Sequence, residues 1–167
     1  MGFFFTFVST LKVHSYIAIL LFSFTVSCTN RSLLDSFHDL QEDGWSYNKI
    51  LNDTAIIANP GHYHQIYANI RINTDYPFSN IQLKLSITKP DSTTTSYPIS
   101  VDLAEKSGKW LGSGLGSVIT FQLPILHRKI FDQAGKYPIK LEQNMRLENV
   151  TNVISAGIRI DEQEEIY

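Results

Sequence analysis

The chain has 167 residues, of which 43% are hydrophobic, 12% aromatic and 18% charged, enough for one globular domain and too apolar for a disordered chain. Lys and Arg number 14 against 16 Asp and Glu, a formal charge of −2, so no basic face for nucleic acid is signalled. A single cysteine excludes an internal disulfide framework and a multi-cysteine zinc or iron–sulfur site.

Residues 1–27 read as a cleaved export signal. Lys12 and His14 precede an apolar run from Tyr16 to Val26, 11 residues long. That fits the roughly 7–15 residues of a signal core and falls short of the ~20 that span a bilayer. The run stops at Ser27-Cys28. In bacterial lipoproteins the peptidase cleaves before such a cysteine, once its thiol carries a diacylglycerol. Val26 and Ser27 suit that signal, whereas Thr25 stands where Leu is usual and an additional apolar segment, Phe3–Val8, precedes Lys12. Cys28 is the expected lipidation site; an ordinary secretory signal with an incidental cysteine is the alternative. Acyl chains there would anchor the chain at about 0.8 kcal/mol per buried methylene. Residues 28–36 read as a short lipidated tether that keeps the domain close to the membrane.

Residues 37–161 read as one β-sandwich domain. Weak strand candidates come first, at Phe37–Leu40, around Trp45 and over Leu51–Ala58. Asn59-Pro-Gly61 marks a turn, and Ile66, Ala68, Ile70 and Ile72 then share one face. After Asp75-Tyr-Pro77, Ile81, Leu83, Leu85 and Ile87 alternate with Gln82, Lys84, Ser86 and Thr88, the pattern of a half-buried antiparallel strand. Beyond Lys89-Pro-Asp91, Tyr97, Ile99, Val101 and Leu103 alternate with polar residues, and Pro98 predicts an edge position. Leu103–Lys109 and Leu126–Phe131 are the two places where a short helical turn is expected. Ile119, Phe121 and Leu123 form a strand closed by Pro124. Tyr137, Ile139 and Leu141 follow Ala134-Gly135, and Ile154, Ala156, Ile158 and Ile160 close the series. Strands so spaced predict an all-β, antiparallel β-sandwich of about eight strands. Residues 162–167 read as a solvated acidic tail.

Motifs for chemistry are weak. Gly112-Ser-Gly-Leu-Gly116 leads into a strand pattern, not the helix whose amides cradle phosphate, so its glycines are expected to shape a loop. His62 and His64 fall on one face of an extended segment, expected at a strand's solvent end, but no further ligands follow in a recognisable pattern. No G-x-S-x-G elbow occurs. No catalytic residue, metal or cofactor is expected. Asn30, Asn52 and Asn149 match the glycosylation pattern by chance beside a bacterial lipidation signal. Trp45 and Trp110 read as core or interface residues.

Four motifs are more specific together: Tyr76-Pro-Phe-Ser-Asn80, Gly108-Lys-Trp-Leu-Gly-Ser-Gly114, Gly135-Lys-Tyr-Pro-Ile139 and Gln143-Asn-Met-Arg146, followed by Leu147 and Gly157-Ile-Arg-Ile160. From about Phe37 to Ile160 the chain resembles the GldH family of gliding motility lipoproteins of the Bacteroidetes. The resemblance implies a lipid-anchored β-sandwich in the cell envelope, at the outer membrane. Its role would be non-catalytic, within the machinery of gliding and associated secretion, and its partners would be other envelope proteins of that machinery. Trp110, Tyr76 and Arg146, lying in these motifs, are the candidate interface residues. A lipid-anchored carbohydrate- or glycan-binding sandwich is the alternative. Exposed aromatics in a concave face would favour it, whereas a rimmed apolar patch would favour a protein partner.

Overall fold

The computed structural model describes residues 32–40 and 42–163; the export signal, Cys28 and the last four residues of the tail lie outside them. Among the described residues the chain forms strands and turns. The early strands are β1 (Ser32–Asp35), β2 (His38–Asp39), β3 (Trp45–Ser46) and β4 (Leu51–Ile57). The central ones are β5 (Tyr63–Asn73), β6 (Asn80–Thr88), β7 (Thr94–Asp102) and β8 (Ser113–Leu115). The chain closes with β9 (Val118–Ile130), β10 (Gly135–Gln143), β11 (Asn149–Val150) and β12 (Val153–Gln163).

Two antiparallel sheets face each other. The larger has the order β1-β12-β5-β9-β8, with β2 also paired to β12; the smaller has the order β4-β10-β6-β7. Period-2 alternation sets this arrangement, because each sheet must hide one apolar face. Ile66, Ala68, Ile70 and Ile72 of β5 and Ala156, Ile158 and Ile160 of β12 are fully buried against Ile81, Leu83 and Leu85 of β6 and Ile139 and Leu141 of β10. Each buried isoleucine or leucine among them stabilises the fold by about 1.5–3 kcal/mol. Pro98 lies on β7, at the edge of its sheet as its missing donor requires.

Several expectations are corrected. Leu126–Phe131 is not a helical turn: β9 runs through Pro124 to Ile130, absorbing the irregularity in bulges opposite His64–Tyr67. β8 covers β9 only at Val118–Thr120, so Pro124 faces no partner strand on that side. Leu103–Lys109 is a turn closed by a bridge between Ala104 and Trp110. Ser32–Asp35, expected within the tether, is a strand paired with β12; residues 28–31 lie outside the described residues. Glu162 and Gln163 belong to β12, not to a free tail.

Register defines the two ends of the sandwich. Ser32 pairs with Asp161, and Tyr63 with Gln163 and Ile130, at the end where the described chain enters. Asn73 pairs with Val118, and Val153 with Ile72, at the far end. β5 spans the distance with 11 residues, about 35 Å at strand rise.

Candidate functional site

Three of the four motifs meet at the far end. Leaving β5, the chain turns through Asn73, whose carbonyl accepts the Tyr76 N–H at 3.0 Å. The turn folds the Tyr76 ring inward to 4% exposure, and its hydroxyl donates to the Asn80 carbonyl at 3.1 Å. Burial pushes that phenol far above its ordinary pKa, so it stays a neutral donor. Phe78 packs edge-on to Tyr76 with centroids 5.7 Å apart. Trp110 joins from the second motif, 6.4 Å from Tyr76 and 6.5 Å from Phe121. A Cβ on Gly112 would come within 2.7 Å of Ile119 and 2.8 Å of Phe121, so only glycine lets the β8–β9 hairpin lie against this aromatic cluster.

The third motif is held by one amide. Gln143 ends β10 at 1% exposure. Its Oε1 accepts the Met145 N–H at 2.8 Å and its Nε2 donates to the Leu147 carbonyl at 3.0 Å, fixing the loop between them. Asn144 N–H donates to the Gln82 carbonyl at 2.8 Å. Between this loop and the first motif lies an open cleft of about 590 Å³, lined by Phe78, Asn80, Gln82, Met145, Arg146 and Leu147. Apolar walls and amides surround one charge, the exposed Arg146. The same end exposes Leu111 (52%), Leu115 (94%) and Leu147 (43%).

The candidate residues therefore separate. Arg146 lines the cleft. Trp110 is half-buried behind it and supports the aromatic wall. Tyr76 is buried and packs the wall from within, so its surface is not presented to a partner. Cys28 lies outside the described residues. Sequence reasoning missed Phe78, Gln82, Gln143, Met145 and Leu147 as a unit. Their signal was the two motifs themselves, but no spacing rule says that segments so far apart share one cleft.

The other polar clusters are structural. His62 and His64 do not share a solvent face: His62 pairs with Glu162 at 2.7 Å, whereas His64 is fully buried. β5 begins at Tyr63, so His62 belongs to the preceding turn. The His64 Nδ1 donates to the His62 carbonyl at 3.0 Å, its Nε2 is unpartnered, and its ring meets Phe131 edge-on at 5.0 Å. Burial holds its pKa below the ordinary value. The Asp53 carboxylate accepts both the Ser36 hydroxyl at 2.8 Å and His38 Nε2 at 3.0 Å. That serine is bonded to a carboxylate and not to the imidazole, so the group ties the N-terminal segment to β4 and lacks the geometry that activates a nucleophile. Among the described residues no group of three His, Cys, Asp or Glu is placed to hold a metal ion.

A family model described as GldH lipoprotein matches residues 32–160. Christiangramia forsetii has a similar protein named a gliding motility lipoprotein GldH homolog, 26% identical over 163 residues, which cover 91% of this chain and 99% of that one. The gliding motility lipoprotein GldH of Flavobacterium johnsoniae is 22% identical over 154 residues, 88% of this chain and 92% of that one. Among solved structures, the infectious bursal disease virus VP2 subviral particle matches with a TM-score of 0.32 and 13% identity, over 78% of this chain and 31% of that chain.

Proposed function

From the premise that this chain belongs to the GldH lipoprotein family, we propose that it is a lipid-anchored, non-catalytic component of gliding motility and associated secretion. It docks other envelope proteins of that machinery through the far end of its sandwich. Its lipid sits on Cys28 and holds it at the outer membrane. One observation carries the docking reading: motifs at Tyr76–Asn80, Gly108–Gly114 and Gln143–Arg146 converge there around a cleft and exposed leucines. The names of the two relatives support the cellular role. The glycan-binding alternative fits less well. Among the described residues the large exposed aromatics are Phe37 and Tyr47; Arg71 covers the Phe37 ring at 4.2 Å, and neither lines the cleft. The aromatic that does, the half-buried Phe78, packs edge-on to Tyr76 and does not stand open as a platform.

The test compares the two ends. Leu111→Arg with Leu115→Arg alters exposed far-end side chains, and Ile56→Arg alters one that is 62% exposed on β4, near the entering end. Surface changes of this kind usually leave stability within about 0.5 kcal/mol. Spreading of the host on agar should be lost with the far-end pair and kept with Ile56→Arg, at equal protein levels. Full spreading with the far-end pair would sink the docking reading.

A further inference from the structure

The cleft has the outline of a missing strand. β10 pairs with β6 only as far as Gln143, opposite Leu83, and then turns away. β6 continues to Asn80 against β7. After one more bond, from the Asn144 N–H to the Gln82 carbonyl, β6 has a strand on one side and the cleft on the other over Asn80–Ile81. Backbone groups along an antiparallel strand alternate in direction. The Ser79 carbonyl accepts the N–H groups of Leu103 and Ala104 on the β7 side, so alternation turns the backbone of Asn80 and Gln82 toward the cleft.

What meets that backbone is an incomplete substitute for a strand. The Tyr76 hydroxyl serves the Asn80 carbonyl, and the Asn144 N–H serves the Gln82 carbonyl. The Gln82 N–H is met by the Met145 thioether sulfur at 3.2 Å. Sulfur is a weak acceptor, and a peptide carbonyl in its place would be a stronger one. Arg146, meanwhile, forms no salt bridge with an Asp or Glu among the described residues. Its planar fork matches a carboxylate. Phe78, Met145 and Leu147 offer apolar contact beside it.

We propose that this cleft is a strand-addition site for an extended segment of a partner protein. The segment carries an acidic side chain two places from an apolar one, so that both fall on the same face. It lies along the Asn80 end of β6, beyond the Asn144 bond to the Gln82 carbonyl, and its carbonyl replaces the Met145 sulfur at the Gln82 N–H. Its apolar side chain rests against Phe78, Met145 and Leu147, and its carboxylate meets Arg146. Main-chain bonds supply the grip and the side chains the selection. The proposal rests on the docking reading above and names the chemistry of its partner.

Two labelled peptides test it against the full-length lipoprotein in detergent, by fluorescence anisotropy. One is acetyl-Thr-Val-Thr-Asp-Thr-Val-amide; the other has Lys in place of Asp. The acidic peptide should bind about tenfold tighter or better, the effect of one well-made charged contact, and Arg146→Glu should reverse the order. Equal binding of the two peptides, indifference to Arg146→Glu, or no binding of either at about 1 mM would overturn the proposal. A photo-crosslinking residue at Leu115, outside the cleft, separates this from failure of the docking reading. Crosslinks there to a gliding-machinery protein, without peptide binding, would remove the strand-addition site and leave far-end docking intact. No crosslink there, with spreading unimpaired by the Leu111 and Leu115 substitutions, would remove both.

Discussion

His64 is an imidazole held neutral by its surroundings. Its ring is fully buried, one nitrogen donates to a carbonyl and the other is unpartnered. Burial lowers its pKa from the ordinary 6.5, so as pH falls the unfolded chain takes up the proton first. Stability from this residue is complete above pH 6.5 and is lost as pH falls from there toward the lower folded value. Glu162 acts lower on the scale. Burial raises its pKa, but hydrogen bonds from Asn59 and His62 outweigh that and leave it below 4.5; its contribution is present above 4.5 and fades in more acid solution. Melting temperature should therefore drop as pH is taken from 7.5 to 5.5. In His64→Leu, which keeps the site apolar and removes the proton acceptor, the slope over that interval should flatten, whatever its absolute stability. An unchanged slope would mean that His64 does not titrate with unfolding.

At the scale of elements, the crossing of the N-terminal segment over β12 depends on Gly157. A Cβ there would collide with the Ser36 carbonyl, which accepts the Asn69 amide at 3.1 Å, while the Ser36 hydroxyl accepts the Ile158 N–H at 3.0 Å. Gly157→Ala should destabilise the domain by about 1–3 kcal/mol, as overpacking does. Hydrogen exchange should show the loss concentrated at Ser36 and Ile158, and exchange unchanged at both would contradict this account. The segment also shows what alternation reveals and what it hides. β5, β6, β10 and β12 were legible because apolar side chains recur at every second position and point into the core, and β7 because Tyr97, Ile99 and Val101, half-buried, alternate with exposed polar residues and Pro98. Ser32–Asp35 was not, since an edge strand of four residues with both ends exposed looks like a linker. The end of β9 was hidden by Pro124, a strand terminator in sequence that an unpaired side and nearby bulges make harmless. The site was legible as motifs and not as a place: Phe78 and Arg146 share a cleft because β6 outlasts β10, a register fact that neither segment carries alone.

For the whole molecule, the question is height above the membrane. Three residues separate Cys28 from Ser32, where β1 begins. A lipid on Cys28 thus leaves at most about 14 Å of chain before the sandwich starts. The cleft lies at the opposite end of the sandwich from Ser32, roughly a strand length away, about 35 Å. Lipidation is checked by growing cells with labelled fatty acid. Wild type should take the label and sediment with membranes, and Cys28→Ala should do neither. An alanine form that still labels and sediments would place the anchor elsewhere.

The entry of the chain alongside β12 also decides how the domain answers force. β1 lies along the strand direction, joined to β12 by bonds that cross it. Tension between the entering end and the far end pulls along the strands. Bonds across that direction share the strain and must yield together, unlike those of a hairpin peeled open from its tip. Survival under such a pull is a matter of unfolding rate more than of equilibrium stability. A domain so threaded resists unravelling at its own doorway when it is pulled between its entering and far ends.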